Sequence, residues 1–138
     1  MTNEELKNHI SAYCATRPEI DACYLYGSRA TGRERPGSDV DLAFLLDYSV
    51  AKNLYSKLKM ELYSNIAEII RRDIHILIMN EAGELVLGEV LREGVPMFIR
   101  NMEALEDFRD SKIPLIAEFT YYSELFRHKL IERYGRNA

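Results

Sequence analysis

The sequence predicts an α/β (α+β) fold: a small mixed sheet of three to four strands, packed with helices and followed by a helical tail. Three observations carry this. Short apolar runs at 22–26, 40–46 and 73–78 have strand length and composition, and a stripe of apolar residues at helical spacing fills 50–71 between the second and third runs. A strand, helix, strand succession of that length implies a parallel crossover. A chain of 138 residues fits one domain, here 1–138, with a core over about 5–100 and a tail over about 101–135. It can bury about two thirds of its unfolded surface.

Taken in order, Thr2 and Glu5 form a capping-box pattern that starts a helix carrying Leu6, Ile10 and Tyr13 or Cys14 on one face, ending before Pro18. The strand at 22–26 follows and runs into Gly27-Ser28. A loop of small and basic residues then leads to Asp39-Val40-Asp41, which opens the second strand. The helix over 50–71 places Leu54, Leu58, Leu62 and Ile66 on one stripe, with Arg71 and Arg72 at its negative end. After the third strand, an amphipathic helix over 80–93 stops at Gly94, and 95–100 form a short strand whose Pro96 favours a sheet edge. In the tail, Ser111 can cap a helix and Pro114 fits its first turn, with Leu115, Phe119, Tyr122, Phe126 and Leu130 forming a stripe. Two readings of that stripe stay open: packing on the protein's own sheet, or a protein-binding face.

Composition limits the function classes. Hydrophobic residues make up 47% and charged residues 29%, ordinary values for a globular chain. The net charge of −4 argues against direct nucleic-acid binding, which relies on clustered Lys and Arg. Cys14 and Cys23 lack zinc-like spacing and read as free buried thiols of a cytoplasmic protein. The start MTNEELKNHI is too polar for a signal peptide, and no apolar run approaches the roughly 20 residues of a membrane span.

The chemistry concentrates between Tyr24 and Leu46. Strand alternation projects Asp39 and Asp41 from one face, and two carboxylates that close repel unless a cation sits between them. Hard ions such as Mg2+ take oxygen ligands and share them with phosphates. Gly27 permits a positive φ and close approach of a phosphate, while Ser28 offers a hydroxyl and an N–H to an anion. Arg29, Arg33 and Arg35 could each bind phosphate or be solvated loop cations; Arg29, nearest Gly27-Ser28, is the favoured contact. Asp73 opens the third strand at the same sheet edge, as a third carboxylate or as a polar residue of a helix-to-strand junction. His75 shares its face and reads as a structural side chain or a rim residue.

The arrangement Gly27-Ser28, ten residues, Asp39-x-Asp41, flanked by two strands, resembles the signature of the nucleotidyltransferase superfamily that includes DNA polymerase beta and kanamycin nucleotidyltransferase. With so short a chain around it, it looks most like the minimal nucleotidyltransferases, the MNT (MntA-type) antitoxins paired with HEPN-domain ribonuclease toxins. The resemblance implies a nucleotidyltransferase fold and a third carboxylate on the third strand, which favours Asp73. It implies Gly27 and Ser28 at the nucleotide, beside which Arg29 remains the favoured basic contact by its nearness. Asp39, Asp41 and Asp73 become catalytic metal ligands for two Mg2+ ions. ATP is then the donor, a tyrosine hydroxyl of a HEPN toxin the acceptor, and a hetero-oligomer with that toxin the setting. A small-molecule enzyme of the aminoglycoside type and a non-catalytic antitoxin that neutralises by binding are the alternatives.

Overall fold

The computed structural model describes residues 1–35, 37 and 39–135. Helix α1, Asn3–Ala15, begins where Thr2 Oγ1 accepts from the Glu5 amide at 3.1 Å, the Thr2 half of the expected capping box. Strand β1, Ile20–Tyr26, and strand β2, Val40–Leu46, pair antiparallel. A short 3-10 turn at Lys52–Leu54 leads into helix α2, Tyr55–Ile70. Strand β3, Ile74–Ile78, helix α3, Glu84–Glu93, strand β4, Val95–Ile99, and helix α4, Met102–Tyr134, complete the order.

The sheet has four strands in the order β3-β2-β1-β4, with β2 and β3 parallel as the crossover requires. Strand β4 pairs antiparallel with β1 and lies at the edge, where its Pro96 costs no interior ladder bond. Both faces of the sheet are covered. On one, Val40, Leu42 and Phe44 of β2 meet Leu6 and Ile10 of α1 and Leu62, Ile66 and Ile70 of α2. On the other, Ala43 and Leu45 meet Leu87 and Val90 of α3 and Leu105 of α4. Because β2 is buried on both sides, its apolar run is almost continuous. The two aspartates interrupt that run at its open end.

Three elements differ from the sequence expectation. The third helix starts at Glu84 instead of Asn80, because the Asn80 side chain bonds both the N–H and the C=O of Leu46, at 2.8 and 2.9 Å, and stays outside the helix. Gly94 does follow α3, but with an extended backbone; a Cβ there would stand 2.3 Å from the Val90 carbonyl oxygen. The tail is one 33-residue helix capped by Asn101, whose Oδ1 accepts from the Ala104 amide, and not by Ser111. Ser111 lies inside it, its hydroxyl donating to Phe108 O, and Pro114 is accommodated within the helix. At 1.5 Å per residue α4 is about 50 Å long, far more than the sheet can cover. Beyond Ala117 its apolar side chains are exposed, so the reading of this stripe as core fails.

Candidate functional site

Asp39 and Asp41 owe their position to the β1–β2 pairing. Tyr26, the last residue of β1, stands opposite Asp41, so the chain leaves β1 at Gly27 directly beside that carboxylate. Gly27 turns with φ of +76°, and a Cβ there would lie 2.3 Å from Asp41 Oδ2. Only glycine satisfies both demands. The chain then winds through turns, with the Ala30 amide bonded to Gly27 O and the Arg33 amide to Ser28 O. Ser28 is half-buried at the rim.

The register of β2 and β3 decides what stands next to the aspartates. Val40 pairs with Ile74 and Asp41 with His75. The His75 ring lies between the two carboxylates, with Nε2 at 3.1 Å from Asp39 Oδ2 and Nδ1 at 3.2 Å from Asp41 Oδ1. Two thirds of the His75 side chain (66%) remains exposed, against 20% for Asp41. Burial pushes the Asp41 carboxyl above its ordinary pKa; His75 opposes this, while Asp39 and Glu89 add to it. Tyr26 is pushed up to about 12 by burial and by the charges of Asp41 and Glu89. The open end of the sheet therefore holds Asp39, Asp41, His75, Glu89 and Tyr26 in mutual electrostatic reach.

Asp73 stands at the junction of α2 and β3, at the expected edge of the sheet. Helix α2 ends at Arg71 in the left-handed conformation, and β3 begins one residue after Asp73. The backbone of Asp73 contributes, its carbonyl accepting from the Val40 amide at 2.9 Å. Asp73 also lines a cleft of about 420 Å3 with Gly37, Tyr63, Ala67, Arg71 and Arg72. Arg29 is diverted. It is buried, donating through Nη2 to Met1 O at 2.7 Å and to Asn3 Oδ1, so its guanidinium ties the loop to the start of α1 instead of facing a phosphate. Asn3 completes this link by donating to Arg29 O.

Among the described residues no three His, Cys, Asp or Glu side chains already converge as a metal cage. The residues nonetheless fit a divalent cation. Two carboxylates project from one strand, a third polar ligand type stands against both, and the glycine beside Asp41 leaves room that any side chain would fill. Residues 8–103 match the family model described as polymerase beta, nucleotidyltransferase. The chain belongs to that family. It is a nucleotidyltransferase with the layered sheet and long final helix described above. Among solved structures, it is similar to a chain of a toxin-antitoxin complex with AMP-PNP, at 18% identity and a TM-score of 0.72, covering 91% of this chain and 98% of that one. It is likewise similar to a chain of the toxin-antitoxin complex MntA-HepT, at 17% identity and a TM-score of 0.67, covering 91% and 96%. A third such structure is a tri-AMPylated Shewanella oneidensis HEPN toxin in complex with MNT antitoxin, at 16% identity and a TM-score of 0.66, covering 91% and 95%. At these identities the likeness is one of fold. No curated protein matches the chain in sequence.

Glu89 escapes the sequence reading, and His75 reads there only as a structural side chain or a rim residue. Alternation alone puts Asp73 and His75 on one face, and only the start of β3 decides which of them reaches Asp41. Glu89 comes from a helix whose packing on the sheet leaves no local mark in the sequence.

Proposed function

We propose that this nucleotidyltransferase moves AMP from ATP to a tyrosine hydroxyl of a HEPN-domain toxin and serves as the antitoxin of that partner. The observation that carries the catalytic half is the Asp39–Asp41 pair held against Gly27. The observation that favours a protein acceptor is the exposed apolar half of α4. The similar structures with AMP-PNP and with an AMPylated HEPN toxin support the choice of donor and partner.

In this reading Asp39 and Asp41 would hold a divalent cation, and such a cation supplies charge neutralisation at the phosphates and at the departing pyrophosphate. Gly27 lets a phosphate come close to the backbone, and Ser28 donates its hydroxyl at the rim of the turn. Asp73 lines the neighbouring cleft with Arg71 and Arg72. Among the described residues no helix is long and apolar enough to cross a membrane. Cys14 and Cys23 are free and buried, which fits a cytoplasmic setting.

Coexpression with the product of the adjacent gene, followed by intact mass measurement of that partner, tests the proposal. A gain of one or more AMP units on the partner, lost with Asp41→Asn, is the expected result. An unmodified partner in a tight complex would instead assign neutralisation to binding alone.

A further inference from the structure

We propose that His75 is a nitrogen ligand of the cation held by Asp39 and Asp41, and that it shifts the site's preference from Mg2+ toward first-row transition ions. The inference rests on the nucleotidyltransferase reading of this site and adds a residue and a metal class to it. Three observations converge on the ring. Strand register sets it directly beside Asp41. It is also within 3.2 Å of one oxygen of each aspartate, so a cation drawn to either carboxylate meets the imidazole as its nearest neighbour. Third, the side chain is mostly exposed, so rotation about its two torsions meets little packing and can bring one nitrogen to a cation shared with the carboxylates.

The side chain in contact with both carboxylates is an imidazole and not a further carboxylate. Asp73 lines the neighbouring cleft with Tyr63 and Arg71. The contacts at the pair thus bring together two carboxylates and one imidazole. Mg2+ requires near-ideal oxygen coordination and sheds water reluctantly. Imidazole suits the later first-row ions, whose affinities also rise from Mn2+ toward Cu2+. A Mg2+ ion gains nothing from His75 that a water would not give, whereas a transition ion gains a ligand.

Co2+ alone is a suitable probe, with the full-length protein, its His75→Ala and His75→Asp variants, and Asp41→Asn as a control for the site. Binding is followed by Co2+ absorption and by proton NMR, where a coordinated imidazole shows a hyperfine-shifted N–H signal. The expected result is such a signal in the wild type, absent from all three variants. Co2+ affinity should be weakened about tenfold or more by His75→Ala. His75→Asp should narrow the preference for Co2+ over Mg2+ measured by competition. Equal Co2+ affinity in wild type and His75→Ala, no shifted imidazole signal, or no Co2+ binding would each overturn the assignment. Melting curves verify that the variants fold, as an exposed position should allow. AMP transfer to the partner is scored separately. Failure of transfer with the imidazole signal present counts against the proposed function alone, and transfer without the signal counts against His75 alone.

Discussion

Gly27 and Asp41 face each other so closely that a methyl group on the first would overlap the carboxylate of the second, at 2.3 Å from Oδ2. Gly27→Ala is therefore expected to damage the site by two routes, steric displacement of Asp41 and strain at a φ of +76°. Stability should fall by about 1 kcal/mol or more in denaturant titrations, and AMP transfer should fall with it. A double variant with Asp41→Ala separates the routes. Removing the carboxylate relieves the overlap but not the backbone strain, so the pair should lose less stability than the sum of the single changes. Additive losses would mean that the two residues do not press on each other.

Asp41→Asn should remove transfer while leaving the metal-free protein as stable as the wild type or more so. Burial raises the Asp41 pKa, with Asp39 and Glu89 adding to it, and the contribution of His75 does not cancel the rise. A carboxyl whose pKa is raised on folding binds its proton more tightly in the native state. Wild-type stability from this group is thus lost as pH climbs from the ordinary carboxylate value through the raised one. Urea midpoints of the two proteins should differ most near pH 7 and converge near pH 4. A variant that is much less stable at pH 7 would show that Asp41 holds the fold together.

The parts of the site legible in the sequence were those fixed by spacing within one hairpin. Gly27, Asp39 and Asp41 lie close together because an antiparallel turn brings its own flanks together, and alternation then sets both carboxylates on one face. What depended on distant register was not legible. The pairing of His75 with Asp41 follows from the register of β3 on β2, and β3 begins after Arg71 ends α2 in the left-handed region with no glycine to announce it. Arg29 was decided by the start of the chain folding back over the loop. In the tail, Pro114 looked like a helix start because an interior proline forfeits a backbone hydrogen bond. The helix runs through it because strong helical sequence lies on both sides.

At the opposite end of β1, Asp21 gives a second electrostatic test. It sits at an irregularity in the pairing with β2, is only 4% exposed, and has no ion pair within 4.0 Å among the described residues. Burial raises its pKa, Asp47 adds to the rise, and Arg100 opposes it. The Arg100 guanidinium is occupied instead by the carbonyls of Ile20, Cys14 and Ala15. Asp21→Asn should accordingly stabilise the protein at pH 7 by on the order of 1 kcal/mol, and the gain should vanish as the pH drops and the wild-type carboxyl takes up its proton. Thermal melts at pH 7 and pH 4 measure both. A loss of stability at pH 7 would show that the charge is needed where it lies.

The last expectation concerns α4, where the structure separates core from surface along one helix. Leu105 is buried between the helix and the sheet, whereas Tyr122 and Phe126 are 58% and 64% exposed. Leu105→Ala should cost about 2–5 kcal/mol, the range for a buried leucine. Tyr122→Ala and Phe126→Ala should stay within about 0.5 kcal/mol of the wild type, as surface changes do. If the exposed stripe docks the toxin, these same two variants should modify the full-length partner much less than the wild type does. Their transfer to a short peptide carrying the acceptor tyrosine should be unchanged, because the peptide needs only the aspartates and the turn at Gly27. Aromatic side chains are common anchors of interfaces, and truncating one at the centre of a contact weakens binding by 2 kcal/mol or more. That corresponds to roughly a thirtyfold loss on the full-length substrate at concentrations below saturation. Equal rates on both substrates for every variant would remove α4 from substrate recognition. A fall on the peptide as well would place the aromatic residues in support of the catalytic end.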